Sequence, residues 1–452
     1  MASAAQRADD GRERLVIAGA TVAYVLVQVA LWSVSVPMSS LIEADSLTYY
    51  RMATQLLEEG RFLEEGRQPL YPLLIAATRM VAAEGDLGPL VAIQVLALFL
   101  TAAVAWRIAK PWLATGAGAV FALVLLNPNA IALTHWPLAD TVHALLFATS
   151  AWGLLAYSAG HRWWLALACG VCLGLAALTR PETQYLVLLL PLAYPVLSVA
   201  ARGLPALRLA LAAGVLAVVA AYAVTLPWTL HNARSGQGFA VAAAGKAVDN
   251  ARGHFALVEA ERTGAPQIDV IERLLVEEPA LLASVGIVGT SEERDFLVSH
   301  YLHRIASADP AIVGRLYWRA WLAQFVSGGA QSFNRLLGLA IDRPDRIMNE
   351  PNSARLFWDG LRGQALLPTA ITVVAVVFTL ALRALGIAGL IYMAFRRHWP
   401  LLLVVATVLV FKALVHFFYG ISRYRLSVEP FLMILAVYGW QGLRAANPLR
   451  AR

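Results

Sequence analysis

Apolar residues along this chain come in long blocks separated by short polar turns, and the blocks approach the roughly 20 residues that an α-helix needs to cross a bilayer. Ten blocks stand out, at about 15–36, 88–109, 112–134, 138–157, 163–178, 185–199, 207–228, 369–395, 400–419 and 426–440. They predict ten transmembrane helices. The stretch 69–83 is also apolar, but it is short and contains Arg79, which suits an interfacial or re-entrant helix. Just before it, Tyr49, Met52, Ala53, Leu56 and Leu57 recur at helical spacing and Gly60 stands at a C-cap position. A short amphipathic helix after Asp45, lying on the membrane, is the expectation. Between the seventh and eighth blocks, 231–367 is hydrophilic and mixed in charge, with helical periodicity in "ERDFLVSHYLHRIASADPAIVGRLYWRAW". The fold class is therefore all-α and multi-pass, with a mainly helical region outside the membrane.

Basic residues orient this pattern. With the N-terminus in the cytoplasm, Arg7, Arg12 and Arg14, then Arg107 and Lys110, Arg162, Arg202 and Arg208, Arg396 and Arg397, and finally Arg444, Arg450 and Arg452 all fall on the cytoplasmic side. That is the positive-inside pattern. The same assignment puts the loop 37–87, the turns "THWPLAD", "TRPET" and "GISRYRLSVEP", and the region 231–367 outside. The organisation expected is a cytoplasmic tail 1–14, a transmembrane module 15–230, an extracytoplasmic region 231–367, a second module 368–445 and a tail 446–452. Both termini are cytoplasmic, in a plasma-membrane protein.

Composition supports this reading. Of 452 residues, 59% are hydrophobic and 14% charged, against roughly 45–50% and about 25% in soluble domains. Mean hydropathy is +0.63. The net charge of +7 is spread over turns between apolar blocks, with no nucleic-acid-binding patch or motif. Cys169 and Cys172 lie inside an apolar block without nearby Cys or His partners, which favours helix packing over redox or zinc chemistry. The first block is too long for the apolar core of a signal peptide, and no cleavage site follows it.

The outer turns carry the candidate chemistry. Glu43 and Asp45 stand at the mouth of the first block, and Asp140 lies in the second outer turn. Arg180 and Glu182 lie in the third, and Arg423 and Arg425 flank Tyr424 in the last. Arginines in short outer turns run against the positive-inside bias and want anionic partners. Lys412, one of three lysines, sits inside the ninth block with His416 one helical turn away. Each has a plainer role available: Asp45 or Ser46 as a helix N-cap, and the last-turn arginines in pairs with Glu429 or lipid headgroups. Together, acids toward the first two turns and cations toward the third and last suit a carboxylate that activates a nucleophile beside cations that hold an anionic leaving group. A lipid-phosphate sugar is such a donor. A glycosidase would need a second acid for its alkoxide leaving group, whereas phosphate leaves as a stable anion.

In order, "EADSLTYYRMATQLLEEGRF", "RQPLYPLLIA", "PLADT", "GLAALTRPE", "LPWTLHNARSGQGF" and "RYRLSVEPFLMILAVYG" make the chain resemble the polytopic GT-C-fold glycosyltransferases. The group it resembles contains protein O-mannosyltransferases and aminoarabinose transferases. The resemblance covers most of the chain and is weakest over 250–367. It implies a polyprenyl-phosphate-linked donor, an acceptor that is a lipid, glycan or protein, and transfer with inversion. It also implies a base or acceptor-positioning role for the first-loop acid, Asp45, with Glu43 and Asp140 as companions. Arg180, Lys412, Arg423 and Arg425 become the candidate donor-phosphate ligands. Arg67, Tyr71, His231, Arg234, Lys246, His416 and Tyr424 complete the candidate site. Two departures are visible: Ser46 follows Asp45 where such proteins often have a second acid, and His231 replaces a frequent arginine. Some GT-C enzymes use a divalent metal, and Glu43, Asp45 and Asp140 offer oxygen ligands. No dedicated cage is evident in the sequence, and an essential metal is not expected.

Other readings remain. An O-antigen ligase or polymerase would use lipid-linked sugars without a first-loop carboxylate. A lipid transporter would place polar or broken helices near the midplane. A non-catalytic subunit would tolerate loss of Asp45. The topology is testable directly: on a background lacking Cys169 and Cys172, a cysteine at position 12 should resist an impermeant thiol reagent in intact cells, and labelling there would reverse the orientation.

Overall fold

The computed structural model describes residues 4–42, 45–62, 67–82, 86–113, 116–287, 289–339, 353–363 and 365–446, and among these the regular elements are all helical. A long first helix, α1 (Ala4–Val34), precedes two short ones, α2 (Asp45–Glu59) and α3 (Leu70–Arg79). Then come α4 (Gly88–Leu113), α5 (Ala117–Leu125), α6 (Pro128–Leu133), α7 (Asp140–Gly160) and α8 (Trp163–Ala177). The first half ends with α9 (Gln184–Val187), α10 (Leu190–Arg202) and α11 (Leu207–Arg234). The hydrophilic stretch supplies α12 (Ala244–Thr263), α13 (Gln267–Ser284), α14 (Thr290–Ala306), α15 (Pro310–Val326), α16 (Ala330–Leu336) and α17 (Ser353–Gly363). Three apolar helices close the chain: α18 (Leu366–Phe395), α19 (Trp399–Val415) and α20 (Glu429–Ala445).

Among the described residues, six helices are long and apolar enough to cross a membrane: Asp9–Val34, Gly88–Leu113, Asp140–Gly160, Leu204–Arg234, Leu366–Phe395 and Ser422–Ala445. A seventh is the pair Pro181–Val187 and Leu190–Arg202, bent by 53°, taken as one span. The chain is thus an integral membrane protein with fewer full-length crossings than the ten predicted. The physical reasons are local. The block 112–134 does not form one helix, because Pro128 has no N–H to continue α5 and starts α6 instead. The Asn127 side chain caps the new start, accepting from the Ala130 N–H at 3.2 Å. The blocks 163–178 and 400–419 form apolar helices of 15 and 17 residues, shorter than a full crossing.

The main core joins α1, α4, α5, α7, α8, α10, α11 and α18–α20. At one end of the bundle the Glu13 carboxylate, 5% exposed, accepts from Trp106 Nε1 at 2.6 Å and pairs with Lys110, pinning α1 to α4. A second core lies within α12–α15, around Phe255, Leu257, Leu274, Tyr301 and Leu316, and it takes in Phe418 from the segment after α19. Tyr419 extends the same attachment, its hydroxyl accepting from Gln267 Nε2 at 3.1 Å. The hydrophilic helices are therefore plugged by side chains from the end of an apolar one.

α18 and α20 approach closely enough to exclude side chains. A Cβ built on Gly389 would stand 1.8 Å from the Leu435 carbonyl oxygen, and one on Gly439 1.9 Å from that of Leu385. Small residues at such crossings let backbones meet and gain dispersion contacts where lipid provides no hydrophobic drive. Gly386 on the same helix is different, with the nearest atom 3.8 Å from its Cβ position. Gly389→Ala should therefore destabilise the purified protein by about 1–3 kcal/mol through overpacking. Gly386→Ala should be neutral or slightly stabilising, since alanine is the better helix former. Thermal midpoints in one detergent compare the two.

Candidate active site

Asp45 opens α2, and its two carboxylate oxygens accept separately, Oδ1 from Arg67 Nη2 and Oδ2 from Arg423 Nη2. The first-loop acid is thereby joined to an arginine from its own loop and to one from the last turn. Its side chain is 27% exposed, so solvent reaches it in part. Burial favours the protonated acid, yet the charges of Arg423 and Arg67, with a smaller effect from Lys246, outweigh it and hold the carboxyl well below the usual range.

Asp140 opens α7, is 4% exposed, and accepts from Arg180 Nη2. Arg180 sits where α8 ends. Pro181 disfavours helical geometry in the preceding residue, and Arg180 is extended at φ −142°, ψ 113°. That geometry turns its guanidinium back toward α7. Its Nη1 also reaches Glu182 Oε1 at 3.4 Å, and the same oxygen lies 3.5 Å from Lys412 Nζ. Lys412 is 1% exposed, deep in α19 beside the Phe147 ring. Thr183, next along the turn, is hydrogen-bonded to His143 Nε2 at 2.8 Å, which fixes the turn on α7.

Tyr424 lies between the two groups. Arg180 stands 4.9 Å and Arg423 5.3 Å from its ring centroid, and His416 stacks on it at 4.3 Å with planes 12° apart. The His416 imidazole lies one turn beyond Lys412, at the end of α19. Its Nε2 and the Nε of Arg423 are buried without a hydrogen-bond partner among the described residues. Three carboxylates and four cations thus interleave, and two of the cations, Arg180 and Arg423, lie against the Tyr424 ring. With Lys412 protonated, the cations exceed the acids by one.

The structure separates some of the predicted residues from this cluster. Arg423 and Arg425 diverge, because the turn Ser422–Val428 is a 3-10 helix in which residues two apart point to different sides. Arg425, predicted as a phosphate ligand, is 1% exposed and spends its donors on Glu429 and on the carbonyls of Gln324 and Ser327. His231 stacks on Trp228, and Arg234 is exposed at the end of α11. Lys246 lies in α12, near enough for its charge to act on Asp45. Tyr71 supports the site from beneath: it donates to Gln94 Oε1 at 2.8 Å, and Gln94 Nε2 donates to the Thr134 and Trp136 carbonyls, holding the turn that leads to Asp140. Glu43 lies outside the described residues. Glu182 joins the site although the expected site residues do not include it. Its spacing, two residues from an arginine in a short outer turn, was the available signal. Among the described residues no group of three or more His, Cys, Asp or Glu side chains is arranged to hold a metal ion. Each of the three acids faces a cation instead.

No family model matches the chain, and no curated protein matches it. Among solved structures it is similar to the crystal structure of ArnT from Cupriavidus metallidurans in the apo state, at 16% identity over 94% of this chain and 77% of that one, with a TM-score of 0.39. It is also similar to the same protein bound to undecaprenyl phosphate, at 20% identity over 94% and 78%, with a TM-score of 0.41.

The ion pairs of Asp45 make a pH-dependent contribution to stability. A carboxyl whose folded pKa is depressed stabilises the fold above its unfolded pKa of about 3.9 and loses that contribution as pH falls toward the folded value. Asp45→Asn should therefore be less stable than wild type at pH 6–8, and the gap should narrow below about pH 4. Thermal midpoints across pH 3–8 test this. A gap that stays constant would mean that Asp45 acts without its charge.

Proposed function

We propose that the chain is a glycosyltransferase that moves a sugar from a polyprenyl-phosphate donor to an acceptor hydroxyl or amine, with inversion, on the extracytoplasmic side of the membrane. The observation that carries this reading is the cluster itself: a partly exposed carboxylate shares its arginine with an aromatic platform and a second set of buried cations. Donor phosphate would be held by Arg423 and Arg180, with Lys412 behind Glu182, and the sugar would lie toward Asp45. The Arg423 Nε and the His416 Nε2, both buried without a partner among the described residues, offer further hydrogen bonds to an oxygen-rich ligand. Arg425 is not part of this clamp: it is buried, and its Nε and Nη1 are held by Glu429 and by the Gln324 and Ser327 carbonyls.

Asp45 clamped between two guanidinium groups is a poor base. An incoming phosphate competes for the same arginines, which loosens their hold and raises the basicity of the acid when the donor is in place. The acceptor oxygen then bonds to the anomeric carbon and the carbon–oxygen bond to phosphate breaks. The electron pair leaves with the phosphate, and the acceptor proton goes to Asp45. Cations that strengthen their hold as charge grows on the leaving group lower the barrier rather than only tightening binding.

Asp45→Asn should fold and bind donor, yet lose roughly 10²–10⁴-fold in turnover, the range for a general base. Arg423→Ala and Arg180→Ala should each lower turnover on an undecaprenyl-phosphate-linked sugar by about tenfold or more, as expected for a lost charged hydrogen bond of ~1.5–3 kcal/mol. Purified variants assayed for transfer and for binding of undecaprenyl phosphate decide this. Full turnover in Asp45→Asn would remove the acid from the chemistry.

A further inference from the structure

A second buried charge cluster lies beside the site, and the mechanism above does not use it. Arg383 stands in the middle of α18, inside an apolar helix, where an ionisable residue is costly unless it has work to do. Its Nη2 donates to both oxygens of Glu429, at 3.0 and 3.1 Å, and its Nε donates to the Phe325 carbonyl at 2.9 Å. Arg425 adds a bond from Nε to Glu429, and its Nη1 reaches the carbonyls of Gln324 at 2.6 Å and Ser327 at 2.8 Å. The Glu429 side chain is 2% exposed. Two guanidinium groups thus share one carboxylate and three carbonyls.

The chemistry of these carbonyls explains the excess of cation. Gln324, Phe325 and Ser327 lie where α15 ends, and the last carbonyls of a helix lack intrahelical partners and carry the negative end of its dipole. Glu429 in turn opens α20, where an acid is favoured by the positive end. The cluster therefore joins the end of α15, the middle of α18 and the start of α20. The segment between α19 and α20 is held at a second point. Gly420 lies so close to α15 that a Cβ on it would stand 1.8 Å from the Ala320 carbonyl oxygen. Between Gly420 and Glu429 lies the 3-10 turn that carries Arg423 to Asp45 on one side and Arg425 to this cluster on another.

We propose that Arg383, Glu429 and Arg425 form a positioning triad that sets where Arg423 meets its anionic partners, by tying the 422–428 turn to the end of α15. None of the three touches substrate in this reading. They act through Arg423, and through α15 they make the placement of that arginine depend on how the hydrophilic helices sit. This deepens the glycosyl-transfer reading and rests on it for its ligand.

Arg383→Met is the test variant, because it leaves Arg425 and Glu429 as a balanced pair. Arg383→Lys, which keeps the charge, makes the same comparison should the first variant fail to fold. The full-length protein in detergent is titrated with undecaprenyl phosphate, alone and in combination with Arg423→Ala. A residue that acts through another shows a non-additive double-mutant cycle: Arg383→Met should weaken binding about tenfold in the wild-type background and less than about twofold when Arg423 is already gone. Equal losses in both backgrounds, or a lower thermal midpoint with unchanged affinity, would reduce the triad to a fold-stabilising role and overturn the proposal. If the wild type itself does not bind undecaprenyl phosphate, the functional reading of the site falls. The triad is then judged by hydrogen–deuterium exchange: faster exchange across 422–428 in Arg383→Met supports it, and unchanged exchange overturns it.

Discussion

A charge taken out of water must meet its opposite, and this bundle organises one of its ends around that requirement. Leaving a buried ion without its partner costs several kcal/mol, so each acid constrains the helix that supplies its cation. Asp140 draws the end of α8 to the start of α7 through Arg180, and Glu182 draws α19 to the same turn through Lys412. Asp45 brings the first loop to the last turn. Glu429 joins α18 to α20 through Arg383. Glycine contacts and neutral hydrogen bonds fix other meetings, but at this end of the bundle the ion pairs choose which turns come together.

The same rule makes the proposed site responsive. Its cations are engaged by carboxylates, so in the proposed reaction a phosphate would arrive as a competitor for charges that already have partners. Binding must offset those lost pairs, and the net gain is smaller than the sum of the new contacts. What the exchange would return, in the proposed reaction, is a change in Asp45, from an acid held as a weak base to one able to take a proton. Affinity and reactivity are thus drawn from one set of interactions.

Much of this architecture was legible in the order of residues, and the exceptions have physical causes. Asp45, Asp140, Arg180, Lys412 and Arg423 stand out because charge in outer turns and inside spans is rare, His416 and Tyr424 complete the expected site beside them, and the fold brings the seven together. Rarity alone cannot say which of two neighbouring arginines faces the site. That choice depends on whether the turn is extended or 3-10, a matter settled by the packing of α15 and α20 around it. Arg383 carries the same signal as Lys412, an ionisable residue within an apolar run. The block 112–134 is not one helix, because hydropathy stays high across a break that Pro128 and the capping Asn127 create. Tyr71 was placed near the site by its motif. Its part, as a support for the turn before Asp140, depends on Gln94, whose polarity is hidden inside an apolar block.

The pairing of Asp45 with Arg423 spans 378 positions. At ribosomal rates of roughly 5–20 residues per second, the acid is made some tens of seconds before its second arginine. Arg67, only 22 positions downstream, follows within seconds and supplies a counter-charge while the rest of the chain is inserted. The nascent protein therefore holds its first-loop acid quiet with a local partner and acquires the complete cluster only when the final turn emerges. A message cut short before Ser422 would yield a product with acids and no last arginine. Such a fragment would occupy membrane with its first loop and last turn never joined.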